Sequence, residues 1–119
     1  MDEIKHEILM MPEPCALFWE DGCVIGDDTG ISIGDTSYEF AIPGLTEWLW
    51  LYVWSCFVPC DLEELTPEEL NRKFDWKEFH RQGLSFAAKI KQILPADVAL
   101  LYIRPGEDCS GTIPDEQRV

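Results

Sequence analysis

Short apolar runs separated by turn-forming residues fill the first third of the chain, and this pattern most limits the folds it can adopt. Between Glu7 and Phe40, glycine, proline and acidic residues interrupt the apolar runs every few positions. Glu20-Asp21-Gly22 and Gly34-Asp35 are typical of hairpin turns, because glycine readily adopts positive φ. Strands joined by such tight turns pair antiparallel. The segment therefore predicts an antiparallel meander whose acids gather in its turns.

An aromatic segment, Leu45–Phe57, follows this meander and fits two different periodicities. Its large aromatics alternate with leucine and valine, as in a strand that is buried on both faces. Leu45, Trp48 and Leu49 also share one face of a helix. The length beyond ten residues and the scarcity of β-branched side chains favour the helix. In either geometry the segment is apolar on more than one side, so it is buried in the core or partly exposed for a partner.

The clearest helix signal covers residues 75–94. Asp75 is a good N-cap, and Glu78 lies three residues later, as in a capping box. Gly83 costs a helix about 1 kcal/mol relative to alanine, which indicates close approach of a neighbouring element. A proline ends the helix, and the apolar run Val98–Ile103 then predicts a buried strand.

Together these elements predict an α+β fold, with an antiparallel sheet and two main helices packed on one of its faces. The N-terminal meander and the C-terminal strand supply the sheet. The stretch 61–70 is predicted to be an acidic connection. The chain contains neither an internal repeat nor a Gly/Ser linker, which favours a single domain over residues 1–119. Residues 106–119 are polar and are predicted to form a flexible tail.

Charge is distributed very unevenly along the chain. Nine Lys and Arg stand against 23 Asp and Glu, a net charge of −14. Residues 1–70 carry a net charge of −15, whereas residues 71–119 carry +1. Such acidity argues against binding nucleic acid, which needs cations to displace phosphate counterions, and against docking on anionic membranes. The asymmetry indicates an interaction surface for a basic or neutral partner.

The N-terminus and the cysteines bear on the cellular compartment. The first six residues lack the basic and apolar regions of a secretory signal. The 13 uncharged residues between Glu47 and Asp61 are too few to span a bilayer, which takes about 20. Five irregularly spaced cysteines are best read as reduced thiols. We therefore expect a cytoplasmic protein.

The residue patterns that usually carry catalysis or metal binding are weak in this chain. Cys56-x-x-x-Cys60 could provide two zinc ligands, with His6, His80 or another cysteine completing the set, but the spacing matches zinc sites poorly. No nucleophile motif accompanies His80, which could meet a carboxylate across the fold. Adjacent acids in turns lack the burial that raises a carboxyl pKa for acid catalysis. We expect no enzyme activity, no metal and no cofactor.

The long helix and the strand after it carry a resemblance to a known class of proteins. The pattern is Asp75-Trp76-x-x-x-His80-x-x-Gly83-x-x-x-Ala87-x-x-Ile90, followed by the apolar strand from Val98 to Tyr102. A short, acidic α+β chain with this pattern resembles immunity proteins of bacterial polymorphic toxin systems, including contact-dependent growth inhibition. The resemblance implies a cytoplasmic antitoxin that binds a cognate toxin, often a nuclease, and blocks its active site.

A contact surface for such a partner is expected among the acids of the turns, because carboxylates form strong hydrogen bonds with Arg and Lys. We expect a monomer or a weak homodimer that binds neither nucleic acid nor membrane. Two alternatives remain, an acidic adaptor or DNA mimic that regulates a basic host protein, and a small Cys/His metal-binding protein. The candidate contact residues are Glu20, Asp21, Asp27, Asp28, Asp35 and Glu39, with Glu63 and Glu64 as secondary candidates.

Overall fold

The computed structural model describes residues 4–14, 16–54, 74–106, 108 and 110–119. Within these ranges it contains seven strands and two helices, which confirms the predicted α+β class. The strands are β1 (His6–Glu13), β2 (Ala16–Glu20), β3 (Cys23–Asp27), β4 (Gly30–Ile33), β5 (Thr36–Glu39), β6 (Val98–Ile103) and β7 (Glu116–Arg118). The helices are α1 (Leu45–Tyr52) and α2 (Trp76–Ile93).

Strands β1 to β5 form the predicted meander. Each of them pairs antiparallel with the next strand along the chain. The β2–β3 turn places Asp21 and Gly22 at φ 52° and 80°, and Gly34 in the β4–β5 turn has φ 58°. Positive φ at these positions matches the twist of two-residue hairpin loops. The prediction of hairpins at these glycines is confirmed.

Strand β6 joins the sheet beside β1, and this pair is parallel. Ile8 pairs with Leu100 and Met10 with Tyr102, which gives the strand order β5-β4-β3-β2-β1-β6-β7. Parallel neighbours need a long crossover connection, and the chain between β5 and β6 includes both helices. The prediction of an antiparallel sheet therefore holds for every described pairing except β1–β6.

Both helices pack on the same face of the sheet, as predicted. Ile8, Met10 and Tyr102 have no exposed surface on that face. The Tyr102 ring lies 6.4 Å from the ring of Trp48 in α1, and its hydroxyl group contacts α2. Side chains alternate along each strand, so the sheet also has a second face. Among the described residues no helix packs on this second face, which is called the open face below.

Helix α1 resolves the ambiguity of the aromatic segment in favour of a helix. Trp48 is 2% exposed, and its indole N–H donates to the carbonyl of Phe79 at 2.8 Å. On the other side of the same segment, Leu51 and Trp54 are 50% and 60% exposed. The segment therefore contributes to the core and also to the surface. Its predicted continuation beyond residue 54 lies outside the described residues.

Helix α2 begins at the predicted cap. The Asp75 carboxylate accepts from the Glu78 amide at 3.1 Å, but the Glu78 side chain pairs with Arg81 instead of completing the capping box. A Cβ at Gly83 would meet Trp48 Cζ2 at 2.6 Å and the Tyr102 ring at 2.7 Å. The predicted close approach at Gly83 is therefore confirmed. Neither of the described helices is long and apolar enough to cross a membrane.

The C-terminal segment differs from the flexible tail predicted for residues 106–119. Glu116–Arg118 forms β7, which pairs antiparallel with β6, and the Val119 amide donates to the Leu100 carbonyl at 2.9 Å. Asp108 is 2% exposed. Polar composition suggested a solvated tail, but backbone pairing and one buried carboxylate attach this segment to the sheet and to α2.

Candidate functional site

The acids predicted to form one contact surface lie at two opposite ends of the meander. Successive turns of an antiparallel meander alternate between the ends of its sheet. Strands of four or five residues separate these ends by about 13–17 Å. The structure therefore divides the predicted surface into two smaller ones. The Asp21 end holds Glu20, Asp21 and Asp35, and the Asp27 end holds Asp27, Asp28 and Glu39.

Two carboxylates at the Asp27 end are held in place by threonines. Asp27 Oδ1 accepts from the amide of Thr29 at 2.8 Å and from its hydroxyl group at 2.5 Å. The Thr29 hydroxyl and amide hold the pKa of Asp27 below its usual value. Asp28 accepts a hydrogen bond from the hydroxyl group of Thr46 in the first turn of α1. Thr29 and Thr46 therefore hold these two side chains in place before any partner arrives.

The strand register places a third carboxylate beside Asp27. Asp27 pairs with Gly30, and Gly30 pairs with Glu39 on its other side, so the two acids flank a residue without a side chain. Neighbouring strands lie about 4.8 Å apart, which separates these two Cα atoms by about 10 Å. A groove of about 420 Å³ lies along β3–β5 here, and Ser32 and Ser37 also line it. The groove offers acidic walls and hydroxyl groups.

A histidine next to one of the carboxylates distinguishes the Asp21 end. Glu20 Oε2 lies 2.8 Å from His6 Nδ1, and this carboxylate is mostly buried. The groove beside it is also lined by Lys5 and Glu7. Asp21 and Asp35 are exposed in their turns. The Asp21 end is therefore less purely acidic than the Asp27 end, and one of its three carboxylates already has a partner.

Several predicted residues lie outside the described part of the chain. Glu63 and Glu64, the secondary contact candidates, are among them, as are both cysteines of the weak metal motif. Within the described ranges no group of three or more His, Cys, Asp or Glu side chains could hold a metal ion. Cys23 is the described cysteine, and it is an exposed free thiol on β3.

His80 meets a carboxylate, as the sequence suggested it could, but it does so deep in the core. Its Nε2 lies 2.6 Å from Asp108 Oδ2 and its Nδ1 lies 2.9 Å from the Tyr102 hydroxyl. The side chains of His80 and Asp108 are 2% and 0% exposed. Ser110 donates to the other oxygen of Asp108 through its amide and its hydroxyl group.

Burial sets the protonation states in this network. Burial lowers the pKa of His80, because a charged imidazolium is costly in the core, and Asp108 only partly offsets this. Burial opposes ionisation of Asp108, but the hydrogen bonds from Ser110 and His80 outweigh it and keep the pKa of Asp108 below its usual value. At neutral pH a neutral imidazole therefore donates from Nε2 to an anionic carboxylate. This arrangement ties the C-terminal segment to α2.

The sequence alone could not identify the partners of His80. Tyr102 and Asp108 lie 22 and 28 residues further along the chain. The sequence indicated that His80 could meet a carboxylate but not which one. The imidazole and the carboxylate of this network have almost no exposed surface.

Comparison with known proteins identifies no relative of this chain. No family model matches it, no curated protein matches it, and no solved structure matches it.

Proposed function

We propose that this chain is an immunity protein that neutralises a cognate bacterial toxin domain, a nuclease, in the cytoplasm. The main support for the proposal is the Asp27 end, where Asp27, held by Thr29, and Glu39 line a groove on the open face, and Asp28, held by Thr46, follows Asp27 in the chain. The chain's net charge of −14 supports a basic partner. In this proposal the chain acts by binding and carries out no chemistry of its own.

The cleft of a nuclease suits such a surface. A nuclease must hold phosphates, so its cleft is lined by Arg and Lys. Asp27 and Glu39, placed about 10 Å apart across Gly30, can occupy the positions that phosphates would take. Thr29 already fixes the side chain of Asp27, and Thr46 fixes that of Asp28. These two acids therefore lose little side-chain freedom on binding. Occupied in this way, the cleft cannot admit nucleic acid.

The Asp21 end has a different part in this proposal. Asp21 and Asp35 are exposed and extend the negative field of the sheet, which raises the association rate of a basic partner. Glu20 is already paired with His6. We therefore assign the direct contact to Asp27, Asp28 and Glu39, and long-range attraction to the other end.

Co-expression with a toxin tests the proposal. An immunity gene should follow directly after a toxin reading frame, so the probe is the toxin domain encoded immediately upstream. We expect the chain to restore growth of cells that express this domain and to form a stable complex with its inactive variant in size-exclusion chromatography. Continued growth arrest together with separate elution of the two proteins would contradict the proposal.

A further inference from the structure

Strand β5 lies at one edge of the sheet, and no strand among the described residues pairs with its outer side. It is the first strand in the sheet order, and Thr36, Ser37 and Glu39 on it are exposed. The Phe40 amide donates to the Thr29 carbonyl at 3.0 Å, which sets the alternation of hydrogen-bonded pairs between β4 and β5. In that alternation the N–H and C=O groups of Ser37 and Glu39 point away from β4. The edge therefore presents two donors and two acceptors.

We infer that this edge binds an extended, lysine- or arginine-rich segment of the partner, which adds a strand to the sheet next to β5. This inference rests on the proposed function, since that function supplies a basic partner. Main-chain hydrogen bonds to Ser37 and Glu39 give the added strand its register. The inference goes beyond the acidic groove, because it states which backbone atoms the partner contacts.

The register also states where the cations of the added strand lie. Side chains directly opposite one another on paired strands have Cβ atoms about 5 Å apart. A residue opposite Glu39 therefore points to the open face, toward the groove that Asp27 and Ser37 also line. A lysine or arginine at that position, and at every second position after it, meets carboxylates and hydroxyl groups. An alternating basic strand fits both the backbone and the side chains of this edge.

A second copy of the chain fits the same edge poorly. Pairing of two β5 strands would bring together two chains that each carry a net charge of −14. Asp35 and Glu39 of each copy would lie at the shared edge, and like charges at that distance are destabilising. Charge complementarity therefore selects a basic partner strand over self-association.

The opposite edge of the sheet, formed by β7, has features that discourage such pairing. β7 has three residues, and Pro114 lies two positions before its first residue. The Arg104 and Val119 amides bond across β6–β7, so the backbone of Glu116 and Arg118 faces outward. A charged and very short edge resists strand addition, and Arg118 would repel a basic segment. The two edges therefore provide a matched comparison.

A defined peptide tests the inference without the toxin. The probe is an eight-residue peptide in which lysine and valine alternate, and the control peptide has four lysines followed by four valines. In an NMR titration of the ¹⁵N-labelled chain at low salt, we expect the alternating peptide to shift β5 amides and to slow hydrogen exchange at Ser37 and Glu39 by about tenfold or more. Equal effects of both peptides, no binding at millimolar peptide, or binding without this protection would each overturn the inference.

Proline variants separate edge pairing from simple charge attraction. Ser37→Pro removes an outward N–H without touching the β4 ladder, so the fold is retained. We expect it to weaken peptide binding by about tenfold, while Ser37→Ala and Glu116→Pro have little effect. Unchanged peptide affinity in Ser37→Pro would contradict the inference. Slower hydrogen exchange at the Ser37 amide in the absence of peptide, increasing with protein concentration, would also contradict the inference. It would show that a second copy of the chain occupies the edge.

The same variants distinguish failure of this inference from failure of the proposed function. If Ser37→Pro loses the peptide and still protects cells from the toxin fully, edge docking of the toxin is wrong and the immunity function stands. If the wild-type chain binds the peptide at β5 but does not neutralise the upstream toxin, the immunity function is wrong and the basic-strand site stands.

Discussion

Two acidic side chains in this molecule, Asp108 and Asp27, have similar hydrogen-bond donors and opposite surroundings. Each accepts from the amide and the hydroxyl group of the residue two positions later, Ser110 and Thr29 respectively. Asp108 is fully buried and also bound to His80, whereas Asp27 lies on the rim of an open groove. The same local turn therefore stabilises the fold in one place and prepares a binding surface in the other.

This difference shows that burial, rather than residue type, assigns the role of a carboxylate here. All the hydrogen bonds of Asp108 are made inside the chain, and its loss should affect folding. Asp27 keeps acceptor capacity toward solvent, and its loss should affect binding.

We expect the largest stability effect from Asp108→Ala. The variant leaves His80 Nε2–H unpaired in the core and removes the acceptor of both Ser110 donors, which should lower the free energy of unfolding by about 3 kcal/mol. Urea unfolding followed by tryptophan fluorescence measures this value. The control is Asp115→Ala, whose 87% exposed carboxylate pairs with Arg104 and should contribute about 0.5 kcal/mol or less. Equal losses in the two variants would remove the distinction between buried and exposed acids.

An intermediate effect on the free energy of unfolding is expected when the pH is lowered. Because the pKa of His80 is lower in the folded chain, the folded state binds fewer protons, and stability is lost as pH falls below about 6.5, the unfolded value. The lowered pKa of Asp108 adds a further loss below about pH 4.

Unfolding free energies at pH 7 and pH 5 check this expectation for His80. His80→Gln can still donate to Asp108 but does not titrate, so its stability should fall less between the two pH values. His6 is present in both proteins, so any contribution it makes to the change in stability is the same in each. A decline in His80→Gln as steep as in the wild type would contradict the role assigned to His80.

At the Asp27 end we expect a much smaller stability effect than that of Asp108→Ala. Thr29→Val removes the hydroxyl donor of Asp27 and should change the free energy of unfolding by about 0.5–1 kcal/mol, because the site is exposed. The pKa of Asp27 should rise toward its ordinary value, which carboxyl ¹³C NMR titration measures. Thr46→Val, which removes the donor of Asp28, is the matched control and should leave Asp27 unchanged. An unaltered Asp27 pKa in Thr29→Val would show that the hydroxyl does not fix this carboxylate.

Sequence reasoning predicted the features that depend on neighbouring residues. The hairpins at Gly22 and Gly34, the Asp75 cap and the close approach at Gly83 all follow from local backbone chemistry.

Features set by distant residues could not be predicted in this way. The parallel β1–β6 pair joins strands about 90 residues apart, and nothing in either strand specifies its neighbour. His80 finds Asp108 across 28 residues. Asp21, Asp28 and Asp35 lie in turns as predicted, whereas the other three acids are the last residues of β2, β3 and β5. The division of the acids between two ends follows from the meander as a whole. The role of each acid therefore required the three-dimensional arrangement.

The association rate of the upstream-encoded toxin domain, measured against salt concentration, tests the central claim most directly. The two proteins to compare are Asp27→Lys/Glu39→Lys and Asp21→Lys/Asp35→Lys, which change the net charge equally. If the Asp27 end is the contact surface, its variant should bind about tenfold more slowly than the other and show a flatter salt dependence. Equal rates and equal salt dependence in the two variants would contradict the claim, because net charge alone would then explain the attraction.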